Sequence, residues 1–138
     1  MPETAPPPSS PSSSPAAARL RELWGEIRNV ESAQALLEWD QETQLPRSAG
    51  EGRGKMLGTL AAIKHRLVTA AELREVIDRL AEEAAVGAGE PADGELRTAQ
   101  VREARRTVDR ASKVPESLAT ALAEAQSLAL GAWQQARA

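Results

Sequence analysis

Apolar residues recur at helical spacing along nearly the whole chain, and they divide it into five segments. Leu20, Leu23, Trp24, Ile27, Val30 and Leu37 form one stripe, with Ala33 and Ala35 between the last two, so the spacing predicts a helix from about Ala16 to Thr43. Such a helix is about 40 Å long at 1.5 Å per residue, which suits an elongated hairpin. Pro46 disfavours the α conformation at Leu45 and sets the stop near Thr43 or Gln44. Trp39, just past Leu36 and Leu37, is expected to close the end of the buried stripe as a core residue, with Asp40 solvated beside it. Glycine-rich Pro46–Gly54 reads as a hinge. Met56, Leu57, Leu60, Ile63 and Leu67 mark the face of a second helix, and Thr69-Ala70-Ala71-Glu72 reads as a capping box opening a third. The third carries Leu73, Val76, Ile77, Leu80 and Ala84, and Gly87–Pro91 ends it. A fourth, expected after Asp93-Gly94 and running to about Ala111, has a thin face of Leu96, Val101, Ala104 and Val108. Pro115 fits the first position of a fifth, lined by Leu118, Leu122, Ala125, Ala129, Trp133 and Ala136 and widened by Leu128 and Ala132. That pattern runs to Ala138 without a glycine cap, as though the helix were cut in mid-element. No strand pattern appears. The class is all-α, about five amphipathic helices in an elongated hairpin or bundle.

The segment before the first stripe is different. Pro2 to Pro15 is almost entirely Pro, Ser, Ala and Thr, a composition that cannot bury enough surface to offset the entropy of ordering it. The chain therefore reads as a disordered Pro/Ser-rich tail, 1–15, followed by one helical region, 16–138.

Composition then narrows the function. Three Trp are the only aromatic residues, and the 41% apolar share leans on alanine, which buries little area per residue. A core of that kind is marginal alone, or is part of something larger. A net charge of −3 gives no global basic field for nucleic acid. The row Arg102, Arg106, Arg110, flanked by Arg105 and Lys113, is interrupted by Glu103 and Asp109 and has no interleaved aromatic to stack on bases. A solvated or partner-facing helix is the expectation there, and no nucleic acid is expected as a partner. No apolar run approaches the ~18 residues of a membrane span, and no secretory signal is visible, so a cytoplasmic protein with no membrane partner is expected.

The residues also exclude most catalytic chemistry. There is one histidine, His65, and no cysteine. A His-Glu-x-x-His zinc site needs two imidazoles on one helix face, and a carboxylate metal cluster needs Glu-x-x-His pairs on facing helices. His65, between Lys64 and Arg66 near a helix end, is expected to be solvated or capping. A serine triad lacks its Gly-x-Ser-x-Gly elbow. Gly50–Lys55 imitates a phosphate loop, but Ala49 stands where the first glycine belongs and Met56 where the magnesium-binding hydroxyl belongs. Glu38 with Asp40 or Glu42 could pair as acids, yet acids near a helix C-terminus are unfavourable and no partner is evident nearby. No catalytic or metal-binding residue is assigned, no cofactor is expected in this chain, and substrate-binding residues stay unassigned.

One stretch is distinctive in its wording: Leu36-Leu37-Glu38-Trp39-Asp40-Gln41-Glu42-Thr43-Gln44-Leu45-Pro46. It is followed by Arg53 before Met56-Leu57-Gly58-Thr59-Leu60, then Ile63-Lys64-His65, then Val114-Pro115-Glu116-Ser117-Leu118 and Trp133-Gln134-Gln135-Ala136-Arg137. In order and helix phasing these resemble the N-terminal region of the carboxypeptidase Taq family of zinc metallocarboxypeptidases, over about Leu20 to Ala138. The resemblance implies a long all-helical enzyme, commonly a homodimer, that removes C-terminal residues from peptide substrates. It implies zinc (or cobalt) at a His-Glu-x-x-His site in the later part of such a chain, none of whose residues has a counterpart here. For this portion it implies a helical wall beside a substrate groove, inactive by itself. The alternative is a free-standing helical interaction module.

Overall fold

Ser14 starts the order. Its Oγ accepts the Ala17 amide at 3.1 Å, Pro15 occupies the first helical turn where its missing N–H costs nothing, and helix α1 then runs Pro15–Thr43. The computed structural model describes residues 14–86 and 91–137, so the tail expected over 1–13 lies outside the described residues. Ser14 and Pro15, read from sequence as tail, are the cap and first residue of α1.

After α1 come a single 3₁₀ turn, Arg47–Ala49, then α2 (Gly50–Thr69), α3 (Ala71–Val86), α4 (Pro91–Ser112) and α5 (Glu116–Ala136). Among the described residues there is no strand, and no helix is long and apolar enough to cross a membrane. The class is all-α. Side-chain pairs give the directions. Asp40 with Arg53 and Glu31 with Lys64 make α1 and α2 antiparallel, and Arg66 with Glu116 together with Gly54 against Ser127 does the same for α2 and α5. Arg105 with Asp78 and Asp109 with Arg74 set α4 antiparallel to α3.

Two packing regions result, and α1 is long enough to belong to both. The first is apolar: Ile27 of α1 meets Leu73, Val76, Ile77 and Leu80 of α3 and Val101, Ala104 and Val108 of α4, with Leu20, Leu23 and Trp24 half-buried around them. The predicted stripes of α1 and α3 hold here. Leu96, expected on the α4 face, is instead exposed. The second region joins α2 to α5 and to the C-terminal half of α1 through small residues. Gly54, Gly58 and Ala61 of α2 are buried, whereas Met56 of the predicted face is exposed.

Several predicted boundaries move. The Pro46–Gly54 hinge shrinks to the 3₁₀ turn, because Gly50, Gly52 and Gly54 are all helical and none has positive φ. Glycine serves approach here: a Cβ on Gly54 would already stand 3.6 Å from the Glu124 carbonyl oxygen of α5. The capping box also fails. Thr69 Oγ1 donates back to the His65 carbonyl, so Thr69 finishes α2, and Ala70, with its extended ψ of 138°, makes the turn into α3. Glu72 is left to bond Arg19 at 2.7 Å. Helix α4 begins at Pro91, ahead of the expected Asp93-Gly94 start, and Pro115 is the N-cap of α5 rather than its first residue.

Surface pairs add little. Glu51, in the first turn of α2, accepts from Lys55 Nζ at 2.8 Å, and that hydrogen bond holds its carboxyl below the ordinary range and the ammonium above its own. What the lowered carboxyl contributes is present above its unfolded pKa and lost as pH falls through the folded one. The pair is fully exposed, so the effect is small.

Candidate functional site

The Trp39-Asp40-Gln41 stretch sits where α1, α2 and α5 meet, and each of its three side chains goes a different way. Gln41 is four residues beyond Leu37 and continues the buried stripe. Its Nε2 donates to the Ser127 carbonyl of α5 at 2.8 Å, and Ser127 Oγ donates back to Gln41 Oε1 at 2.9 Å. Both residues are buried, so the reciprocal pair satisfies polar atoms that would otherwise be costly. Asp40, on the flank of the same stripe, accepts from Arg53 of α2. A second nitrogen of the Arg53 guanidinium donates to the Leu37 carbonyl. Arg53 is buried, and its Nε is a buried donor without a partner. Asp40 therefore has the partner that the sequence did not reveal.

Trp39 turns the other way. Two residues past Leu37 is about 200° around a helix, so Trp39 shares the outer side of α1 with Leu36. Both are more than half exposed, at 60% and 65%. The expectation of a core Trp is overturned by phase: Trp39 is two residues from half-buried Leu37 and from buried Gln41, and so faces out. It follows that Trp39→Ala should leave the stability of this chain within about 0.5 kcal/mol. Urea unfolding checks this, and a loss above about 2 kcal/mol would restore the core reading.

Beside the junction, a groove of about 530 Å³ opens between α1 and α5 over Leu57, Ala61 and Val68 of α2. Glu38 and Glu42 line it from α1, and His65 stands at its other end. Of the three acids, Asp40 is held by Arg53 and so separated from Glu38, while Glu38 and Glu42 both line the groove. His65 Nε2 lies 2.6 Å from the Val114 carbonyl and 3.2 Å from that of Ala111, where only an N–H can be accommodated. It caps the C-terminal end of α4, a neighbouring helix rather than its own. Among the described residues no three His, Cys, Asp or Glu converge to hold a metal. The Ser127 hydroxyl donates its hydrogen bond to an amide oxygen, which is not a base at neutral pH. The arrangement fastens three helices.

Sequence reasoning quoted Arg53 only within the family resemblance, with no role, and missed Ser127. The available signal was small residues at every fourth position, Gly50, Gly54 and Gly58 on α2 against Ala119, Ala123, Ser127 and Gly131 on α5. It marks close helix approach, not chemistry.

The family model described as carboxypeptidase Taq (M32) metallopeptidase matches residues 19–138. Thermostable carboxypeptidase 1 of Thermus thermophilus is 32% identical over 118 residues, which cover 86% of this chain and 22% of that protein. The chain thus spans about a fifth of the length of the curated relative it matches. No solved structure matches.

Proposed function

The chain belongs to the carboxypeptidase Taq (M32) metallopeptidase family, and from that premise we propose that it forms the N-terminal helical wall of a zinc metallocarboxypeptidase that releases C-terminal amino acids from peptides. In this reading the chain positions and covers, and the chemistry belongs to residues it does not contain. The residues present do not fit a zinc site, since the sequence has one histidine and no cysteine and His65 is engaged by two carbonyls. No catalytic step is assigned to them.

The observation that carries the proposal is the outer face of α5. Leu118 is nine residues from buried Ser127, about two and a half turns, and so lies on the opposite side of the helix. Leu118, Leu122 and Trp133 are each more than half exposed. Leu118 and Trp133 of the apolar stripe read from sequence lie off the α2 contact, whereas Leu122 borders the groove over α2 and Leu128 reaches Gly54. Fully covering one such side chain contributes roughly 1.5–3 kcal/mol, so this face favours a further layer of protein. The family match runs through α5, and most of the relative's length lies beyond what this chain aligns with.

The test uses the 138-residue chain with Zn²⁺ or Co²⁺ and a peptide substrate. No amino acid should be released, and a hydrophobic dye should bind. Adding the remaining portion of the Thermus relative should displace the dye. Release of C-terminal residues by the pure chain, or a chain that binds no dye, would overturn the reading. A free-standing interaction module would instead bind the complete enzyme and leave its separated remainder alone.

A further inference from the structure

The arginine row of α4 has no part in that reading, and the fold sets it along a groove. The groove, about 640 Å³, runs between α4 and the C-terminal half of α3. Its floor is small and apolar: Ala81, Ala84 and Ala85 from α3, with Val101 from α4. Arg102, Arg106 and Arg110 line it at successive steps of four residues, and Lys113 extends the line. Steps of four place the row's Cα atoms about 6 Å apart along the axis.

Ion pairs divide the charges unevenly. Arg105 is paired with Asp78, Arg106 with Glu103 at 3.8 Å, and Asp109 with Arg74 at 4.0 Å. Among the described residues no carboxylate pairs with Arg102, Arg110 or Lys113. Three cations thus stand along one groove in a chain whose net charge is −3.

We propose that this α3/α4 groove docks an acidic amphipathic helix of a partner protein, laid along the alanine floor with carboxylates at i, i+4 and i+8 facing Arg102, Arg106 and Arg110. Shape favours a helix, because the valley between two antiparallel helices takes a third at 8–10 Å when the floor residues are small. Spacing favours it as well, since carboxylates four residues apart on a helix repeat the same 6 Å step. A single nucleic acid strand matches the charge but gains nothing from the alanine floor, and no aromatic side chain lines the groove to stack on its bases.

The test is binding of a synthetic helical peptide, with Glu at i, i+4 and i+8 and Ala or Leu on the adjoining face, to the full chain by fluorescence anisotropy. Saturable binding that weakens as salt rises is expected. Arg102→Glu with Arg110→Glu should reduce affinity about tenfold or more, with helicity unchanged because both side chains are exposed. Ala85→Trp, which fills the floor without touching a charge, should also abolish binding, whereas diffuse attraction to a basic surface would survive it. Equal binding of the peptide with Gln in place of Glu overturns the proposal. So does tighter binding of a single-stranded oligonucleotide or of inorganic polyphosphate, which would make the row a polyanion track.

Discussion

Arg53→Met should destabilise the chain by about 3 kcal/mol, one of the two largest single-site effects expected. The guanidinium is buried and bonds two groups of α1, the Asp40 carboxylate and the Leu37 carbonyl. Removing one partner of a fully buried pair costs about 3–5 kcal/mol, mostly through the charge left behind. Asp40 keeps part of that low, because its side chain is 37% exposed and can rehydrate. Loss of the charged hydrogen bond to Leu37, and of the packing of the Arg stem, brings the total back up. Asp40→Asn retains an acceptor oxygen and should cost only about 1 kcal/mol. Arg53→Lys should fall between the two, since an ammonium cannot span both acceptors as the planar fork does. Urea unfolding followed by far-UV circular dichroism separates these. If Arg53→Met costs less than Asp40→Asn, the buried arginine is not what joins α1 to α2.

The contrast between Arg53 and Trp39 shows what the sequence can and cannot reveal. The buried face of α3 was legible, because Leu73, Val76, Ile77 and Leu80 have their partners within the chain and periodicity locates the buried side, although the capping box read at its start was not. Trp39 was misread because residue type was weighed above phase. Two steps from Leu37 is the outer side, whatever the side chain. In α5 the period located the apolar side and left open which side meets α2. An amphipathic pattern says which side is apolar, and it cannot say that the side facing α2 will be the one made of Ala123, Ser127 and Gly131. The same side also carries Glu124 and Leu128, whose side chains lie against Gly58 and Gly54 of α2. The Arg53–Asp40 and Gln41–Ser127 bonds join residues 13 and 86 positions apart, beyond the reach of any local pattern. The candidate site was therefore nearly illegible, although the words Trp-Asp-Gln that mark it were conspicuous.

The α2–α5 crossing gives the second large effect and lets sign, not only size, be tested. Alanine in place of glycine within a helix normally stabilises by roughly 0.5–1 kcal/mol. At Gly54 the added Cβ meets α5 atoms no closer than 3.6 Å, an ordinary contact, so Gly54→Ala should realise that gain. At Gly58 the Cβ would stand 2.7 Å from Glu124 Cγ and Oε1, so the glutamate must leave its rotamer. Gly58→Ala should therefore come out near zero. In a Glu124→Ala background the same substitution should recover the full gain, a coupling that a double-mutant cycle measures directly. Gly58→Leu cannot be relieved by one flexible side chain, because the whole branched group meets α5. About 3 kcal/mol should be lost, with hydrogen exchange rising along α5 while α3 keeps its protection. Separation of α5 also exposes Gln41 and Ser127, whose reciprocal bonds need that close approach. If Gly58→Leu leaves α5 protected, the helices are not held together by glycine contact, and the fastening assigned to the Gln41–Ser127 pair fails with it.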